Sequence, residues 1–318
     1  MNKLSIAPMM DWTDKHCRYF YRLMSTEVQL FTEMITTRAI LYGDKKRILD
    51  FHLDEHPVAL QIGGSDPKEM SQCTVIAKDW GYDEVNINVG CPSDRVQSGS
   101  FGACLMQTPK VIADCVDSMK QASDITVSVK SRIGVDDMES YDELSEFISI
   151  VHEGGCNIFI IHARKAWLKG LSPKQNRSVP PLKYDWVYRI KEDFPELSIA
   201  INGGINTILE AQEHLQKVDG VMLGRSVYQQ PYMLSDVDDN VYGKLLPKNS
   251  REQVLLNFID YMKIQHENGV PIRSMTRHIL GLYHGQRNAK KFRRLLSGPV
   301  VDLTKLDEWF EFLSKEYS

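Results

Sequence analysis

One rhythm constrains this chain more than any other feature. Short apolar, β-branched runs recur eight times, at residues 5–9, 30–34, 58–62, 84–89, 126–129, 158–161, 198–201 and 220–223. Most are too short for helices and are bounded by Gly, Pro or Asp. Between them lie segments with helical spacing, including 67–80, 109–121, 141–152, 185–194 and 209–216. Asp66-Pro67 and Thr108-Pro109 read as an N-cap followed by proline at the first helical position. Eightfold strand–helix alternation predicts a (β/α)8 TIM barrel over residues 1–244. A doubly wound sheet fits less well, because no G-x-G-x-x-G follows the first strand. Beyond 245 the pattern turns wholly helical, at 251–267, 272–284, 289–296 and 303–317. This predicts a small all-α helical-bundle domain over 245–318.

The 318 residues are 42% hydrophobic and 25% charged, which is ordinary for a globular protein. No apolar run approaches the ~18 residues that span a bilayer, and the first residues lack the apolar stretch of a leader. A cytoplasmic, monomeric protein with no membrane partner is expected. Six scattered cysteines include no C-x-x-C pair, so neither disulfides nor a metal site is expected.

Barrel enzymes keep their chemistry at the carboxyl ends of the strands. Here those ends carry Glu33, Gln61, Asn88, Lys130 then Arg132, His162 then Arg164, Asn202 and Arg225. Burying such groups without partners costs several kcal/mol, up to ~7, so something polar is expected to fill the mouth. Asn202-Gly203-Gly204 and Gly224-Arg225 follow strands seven and eight, where barrels commonly hold phosphate. Glycines let backbone N–H groups approach an anion, and Arg225 can add a charge-assisted contact. The alternative is a tight turn and a surface arginine.

Lys130 reads as a Schiff-base nucleophile, as a cation beside an anionic ring, or as a mouth lysine paired with an acid such as Glu33. His162 reads as an acid/base group, a cofactor donor or a satisfied core histidine. Cys91 stands between Gly90 and Pro92 just as a strand ends, which a buried structural thiol does not need. A nucleophile would want an adjacent base. A general acid would stay protonated at neutral pH with an unperturbed pKa near ~8.5. Gly90 is expected to allow a sharp turn, and the loop after it, with Arg95, Gly99 and Gly102, to deliver the thiol to substrate. Cys73, Cys115 and Cys156 read as core.

Net charge is −4, which argues against a general nucleic-acid binder, but charge is unevenly distributed. Between Glu267 and Asp302 there is no acid, while Arg273, Arg277, Arg287, Lys290, Lys291, Arg293 and Arg294 stand there with His278 and His284. A solvated face usually mixes signs, so this stretch reads as a footprint for a polyanion. A second basic patch follows strand six, with Arg164, Lys165, Lys169, Lys174, Arg177 and Lys183 around Trp167.

The stretches APMMDWTDKHCR, ALQIGGSDP, NINVGCPSDRV, GACLM, VKSRIG, IHARKAWLKGLSPK, INGGI and MLGR, in this order, resemble the tRNA-dihydrouridine synthase family over nearly the whole chain. Several of them resemble its bacterial branch acting on D-loop positions 20 and 20a. The resemblance implies an FMN-containing barrel with a helical tRNA-binding domain, reducing the uracil C5=C6 bond with NADPH as the source of reducing power. It implies that Pro8, Met9 and Met10 line the flavin and that Gln61, Lys130 and His162 contact its ring. Asn202, Gly203, Gly204, Gly224 and Arg225 would hold its phosphate. Cys91 would donate a proton to C5, opposite the flavin, and Asn88 would touch the target nucleotide. Lys174, Arg177, Lys290 and Arg293 match a tRNA-contacting signature. Three other readings stay open on the residues alone: a flavin barrel acting on a free pyrimidine or enone, a Lys130 aldolase, and a noncatalytic RNA-binding protein.

Overall fold

The computed structural model describes residues 1–93, 99, 101–298 and 304–316. Its strands are β1 (Leu4–Ile6), β2 (Leu30–Phe31), β3 (Ile35–Thr36), β4 (Val58–Gly63), β5 (Glu84–Val89), β6 (Thr126–Arg132), β7 (Ile158–His162), β8 (Ser198–Asn202) and β9 (Gly220–Leu223). They pair in parallel in the order β1-β9-β8-β7-β6-β5-β4-β2. The ring closes at Ser5 and Gln29, where Ile6 N donates to Gln29 O at 2.9 Å and Gln29 N donates to Leu4 O at 3.0 Å. This is the (β/α)8 barrel that the sequence rhythm predicts.

The second strand is broken, where a single run over 30–34 is expected. Gln61 N takes the Thr32 hydroxyl at 3.0 Å as its acceptor, so a side chain interrupts the β2–β4 ladder before β3 resumes it.

Alternation along each strand separates two apolar regions. Val85, Ile87 and Val89 of β5 join the large cluster between sheet and helices. Each such buried side chain contributes roughly 1.5–3 kcal/mol. A smaller cluster, with Phe31, Ala59, Ile160, Ala200 and Met222, fills part of the interior. The opposite face of β5 carries Glu84, Asn86 and Asn88, all buried.

The helices begin and end for local reasons. Asp66 caps Pro67–Trp80 by accepting from Glu69 N at 2.8 Å, and Gly81 ends it at φ 98°. Thr108 precedes Pro109–Ala122 without capping it, contrary to the sequence reading; its hydroxyl donates to Leu105 O at 3.5 Å instead.

After β9 the described elements are all helical: Arg225–Gln229, Val237–Asn240, Arg251–Glu267, Ile272–Ile279, Ala289–Leu296 and Thr304–Glu316, with a 3-10 turn at Pro231–Asp236. The helix expected over 272–284 stops at Ile279. Gly281 follows, packed so closely that a Cβ would stand 2.5 Å from Gln229 O. Residues 243–250 are exposed and carry neither helix nor strand. The last helices nevertheless share the large core with the barrel: Phe258 packs on Phe20 at 5.1 Å and Tyr261 stacks on Tyr19 at 4.0 Å. Among the described residues no helix is long and apolar enough to cross a membrane.

Candidate active site

The carboxyl ends of the strands surround a cavity of about 370 Å³. Size and position suit a small-molecule site. Of the residues singled out from sequence, Pro8, Met9, Met10, Gln61, Asn88, Cys91, Lys130, Arg177, His162, Asn202, Gly203, Gly204, Gly224 and Arg225 all line it. Lys174 is exposed on the same loop as Arg177 but outside the lining. Lys290 and Arg293 lie elsewhere, in a shallow depression on the helical part, shared with Lys291 and Arg294.

The first wall is a turn after β1. Trp12 N and Thr13 N donate to Met9 O at 3.0 and 2.9 Å, while Met9 N donates to the Thr13 hydroxyl. The turn presents Pro8, Met9 and Met10 to the cavity and places Trp12 on Tyr228, with ring centroids 4.3 Å apart and planes 16° from parallel.

Cys91 is held through its backbone. Asn88 Oδ1 accepts from Gly90 N at 3.2 Å and Cys91 N at 3.0 Å, while Cys91 O accepts from Ala103 N at 2.9 Å. The thiol is partly exposed and donates toward Ser93 Oγ at 3.5 Å. Gly90 does not adopt the left-handed conformation expected of a sharp turn. Its carbonyl instead accepts from Arg132 Nε at 2.9 Å. Arg95 lies outside the described residues.

Lys130 is not paired with Glu33. Its ammonium donates to Asn202 Oδ1 at 3.4 Å, and Glu33 takes the backbone N–H of Asp11. Burial, with Arg132 adding repulsion, pushes Lys130 down to about 8. Burial also lowers Arg132 to about 10, and Arg177 and Arg164 act in the same direction. Burial lowers His162 well below the usual imidazole range, and Arg132, Lys130, Arg164 and Arg225 reinforce this, so its ring is neutral. Lys130, Arg132, Arg177 and Arg225 line the cavity and, among the described residues, no Asp or Glu does. Such a lining calls for an anion.

The Asn202-Gly203-Gly204 turn needs its glycines. Gly203 has φ 108° and Gly204 φ 76°; a Cβ on Gly203 would sit 2.4 Å from His162 Cδ2, and one on Gly204 2.6 Å from Leu182 Cδ1. At Gly224 a Cβ would meet only Ala7 Cβ, at 4.0 Å, and would otherwise project into free space beside Arg225. Backbone and guanidinium therefore leave room for a bulky anion there, which fits the phosphate of FMN.

Three features escaped the sequence reading of the site, and a fourth, Arg132, was read only as a strand-end group with no role. It follows Lys130 by two on one strand face. Its Nη1 donates to Asn176 O at 2.9 Å and Lys165 O at 3.2 Å, tying the Cys91 segment to the Arg177 loop. Trp12 and Met34 line the cavity from loops and carry no pattern that announces it. The polar side chains of β5 alternate in a strand that a barrel would otherwise keep apolar on both faces. Parts of the predicted basic surfaces are committed internally. Arg277 Nη2 donates to Asp14 Oδ2 at 2.6 Å. Lys165 covers the Trp167 ring at 3.9 Å and Lys291 the Phe312 ring at 3.0 Å.

The family model for dihydrouridine synthase matches residues 5–311. A tRNA-dihydrouridine(20/20a) synthase of Vibrio vulnificus is 55% identical over 296 residues, covering 93% of this chain and 90% of the relative. One from Shewanella oneidensis is 55% identical over 308 residues, covering 95% and 92%. One from Synechocystis sp. is 52% identical over 301 residues, covering 95% and 90%. With a cavity built from the strand ends and similarity along nearly the whole length, the chain belongs to the dihydrouridine synthase family.

Proposed function

We propose that this protein reduces uridine in the D-loop of tRNA, at positions 20 and 20a, to 5,6-dihydrouridine, with FMN as resident cofactor and NADPH as reductant. The observation that carries the reading is a partly exposed thiol, Cys91, on the rim of a cavity that, among the described residues, is lined by four cationic side chains and no carboxylate. A flavin phosphate and an RNA backbone are both anions. Relatives named for the 20/20a reaction support the substrate.

When bound, reduced FMN supplies hydride to C6 of the uracil. The chain supplies the rest. Cys91 gives its proton to C5 and recovers one from solvent. Lys130 lies on the cavity floor, hydrogen-bonded to Asn202, where its charge offsets negative charge on the ring. Neutral His162 serves as a hydrogen-bonding group there. Gly203, Gly204, Gly224 and Arg225 receive the phosphate, and Met9, Met10 and Gln61 border the ring. Asn88, which holds the Cys91 backbone, also lines the space for the flipped base. Residues 1–244 carry this chemistry, and residues 245–318, with Lys290 and Arg293, bind tRNA alongside Lys174 and Arg177. The protein acts as a cytoplasmic monomer.

The test is anaerobic. The flavin-loaded protein is reduced, then mixed with tRNA lacking dihydrouridine, free uridine or orotate, and flavin absorbance is followed. Fast reoxidation by tRNA alone is expected. Cys91→Ala should keep flavin and tRNA binding and lose about 10²–10⁴-fold in rate, the usual worth of a general acid. Reoxidation by free pyrimidines only, or full activity in Cys91→Ala, would refute the reading.

A further inference from the structure

Beneath the cavity a file of buried polar side chains runs through the barrel interior. Gly90 N and Cys91 N donate to Asn88 Oδ1, and Asn88 Nδ2 donates to Gln61 Oε1 at 2.8 Å. Gln61 Nε2 donates to Asn86 Oδ1 at 2.8 Å, and Asn86 Nδ2 to Ser128 Oγ at 2.7 Å. The Ser128 hydroxyl donates to the Glu84 carboxylate, whose other oxygen accepts from Gln29 Nε2 at 3.0 Å. Gln29 Oε1 in turn accepts from Asn2 Nδ2 at 2.9 Å. Strand register builds this file. Gln61 pairs with Asn86, and Asn86 with Ser128, across β4, β5 and β6. Asn86 and Ser128 are 0% exposed and Gln61 1%, so water cannot substitute for these links.

The file has a direction, and both ends dictate it. At the mouth stand backbone N–H groups, which only donate. At the amino-terminal end of β5 stands Glu84, which only accepts when ionised. Burial pushes this carboxyl above the usual carboxylate range, partly opposed by donation from Ser128 and Gln29, the two bonds its ionised form accepts. Turning over any one amide between these ends would set donor against donor or acceptor against acceptor. Gln61 and Asn88 thus commit their carbonyl oxygens and one N–H each to the file. What each retains for a ligand is its other N–H, a donor suited to carbonyl oxygens.

We propose that Glu84 is a positioning residue: through Ser128 and Asn86 it sets the sense of the Gln61 and Asn88 carboxamides, and through Asn88 it anchors the backbone of Cys91. Its bearing on catalysis rests on the flavin-and-uridine reading of the cavity; the file itself does not. A barrel interior filled only with aliphatic layers would be cheaper to build, which is why a functional role is assigned.

The test reads Cys91 without any redox chemistry. Its alkylation by iodoacetamide is followed by peptide mass in the protein free of tRNA, with melting temperature as the check on folding. Ser128→Ala cuts the file. Glu84→Met keeps length and removes both acceptor oxygens. Each is expected to speed alkylation on the order of threefold to tenfold, the effect of losing a hydrogen bond to a backbone N–H. Glu84→Gln still accepts from Ser128 once Gln29 turns over, and should stay near the native rate. Asn88→Ala should speed alkylation alone, with Ser128→Ala adding nothing to it. FMN affinity of the apoprotein should fall in the same variants, because Gln61 loses its orientation.

An unchanged rate in Ser128→Ala would overturn the proposal. So would full additivity with Asn88→Ala, or Glu84→Gln behaving like Glu84→Met. If Glu84→Met does not fold, Ser128→Ala and Glu84→Gln decide. A protein that shows this alkylation pattern yet leaves tRNA uridine unreduced would refute the proposed function and not the role of Glu84.

Discussion

Asp14 and Arg277 stand 263 positions apart and meet at 2.6 Å, joining the turn after β1 to the helix Ile272–Ile279. His278 Nε2 reaches the same carboxylate at 3.1 Å, and its Nδ1 stands 3.2 Å from the Tyr228 hydroxyl. Tyr228 is the residue on which Trp12 of the cavity wall stacks. Asp14 also caps the helix Lys15–Arg22, accepting from His16 N and Cys17 N at 3.0 Å each.

This junction predicts a split between two substitutions. Burial pushes the Asp14 carboxyl up, but His278, the Cys17 N–H and Arg277 outweigh it and hold it well below the usual carboxylate range. A depressed carboxyl stabilises the fold above its unfolded pKa of ~3.9, and that contribution is lost as pH falls through the folded value. Asp14→Asn keeps the cap and loses the ion pair, costing about 1 kcal/mol at pH 7 because Arg277 is partly exposed. Asp14→Ala loses the cap as well, for about 1 kcal/mol more. Urea unfolding should show both penalties at pH 7, and the difference between native protein and Asp14→Asn should shrink below pH 4. A penalty independent of pH would rule out the charge.

Lys130 predicts how anions bind. Its ordinary value is ~10.4, and burial lowers it to about 8 in the folded protein. The unfolded chain holds more protons between these values, so without a ligand stability rises with pH across that window. An anion beside Lys130 favours the charged form. FMN affinity of the apoprotein should therefore weaken about tenfold from pH 7 to pH 9, by mass action on a group titrating near 8. Fluorescence titration of Lys130→Met should give weaker binding with a flat pH profile. A slope that survives the substitution would place the titrating group elsewhere.

Arg132 grips three backbone carbonyls, of Gly90, Lys165 and Asn176. A lysine ammonium cannot span them as the planar guanidinium does. Arg132→Lys should cost about 1–3 kcal/mol in thermal or urea unfolding, the range for leaving buried groups unpaired. In steady-state assays it should also lower kcat and raise the KM for tRNA together, because it ties the Cys91 segment to the Arg177 loop. A change in stability alone would make Arg132 merely structural.

Lys290 and Arg293 are exposed on a helix whose Phe292 and Leu296 point into the core. Lys290→Ala and Arg293→Ala should leave the fold intact and weaken tRNA binding similarly for different tRNA sequences. Each should reduce the slope of log affinity against log salt by about 1. Filter binding at several salt concentrations measures this, and an unchanged slope would remove these side chains from the RNA interface.

The barrel was legible because β-branched runs and turn residues repeat at even spacing, and helices such as Pro67–Trp80 carry their own caps. The cavity residues at the strand ends were legible for a geometric reason: a parallel barrel sends all its strand ends to one rim. Met10 and Arg177 were legible only through the family resemblance. What hid were relationships between strands. Gln61, Asn86 and Ser128 form one file only because the two registers joining three strands align. Glu33 was one partner considered for Lys130, but its carboxylate is taken by the Asp11 N–H, a contact set by a loop with no periodicity. Arg277 read as part of a basic footprint, and only tertiary packing turns it inward to Asp14.

The continuous core between the barrel and the last helices has a mechanical consequence. Phe258 and Tyr261 interlock with Phe20 and Tyr19, so the basic face of Ala289–Leu296 cannot swing freely against the cavity. The two surfaces act as the fixed jaws of a calliper. Under the proposed function, an RNA gripping one jaw would deliver to the other only those nucleotides lying one set span away, so that selection of position would be a matter of length as well as of chemistry.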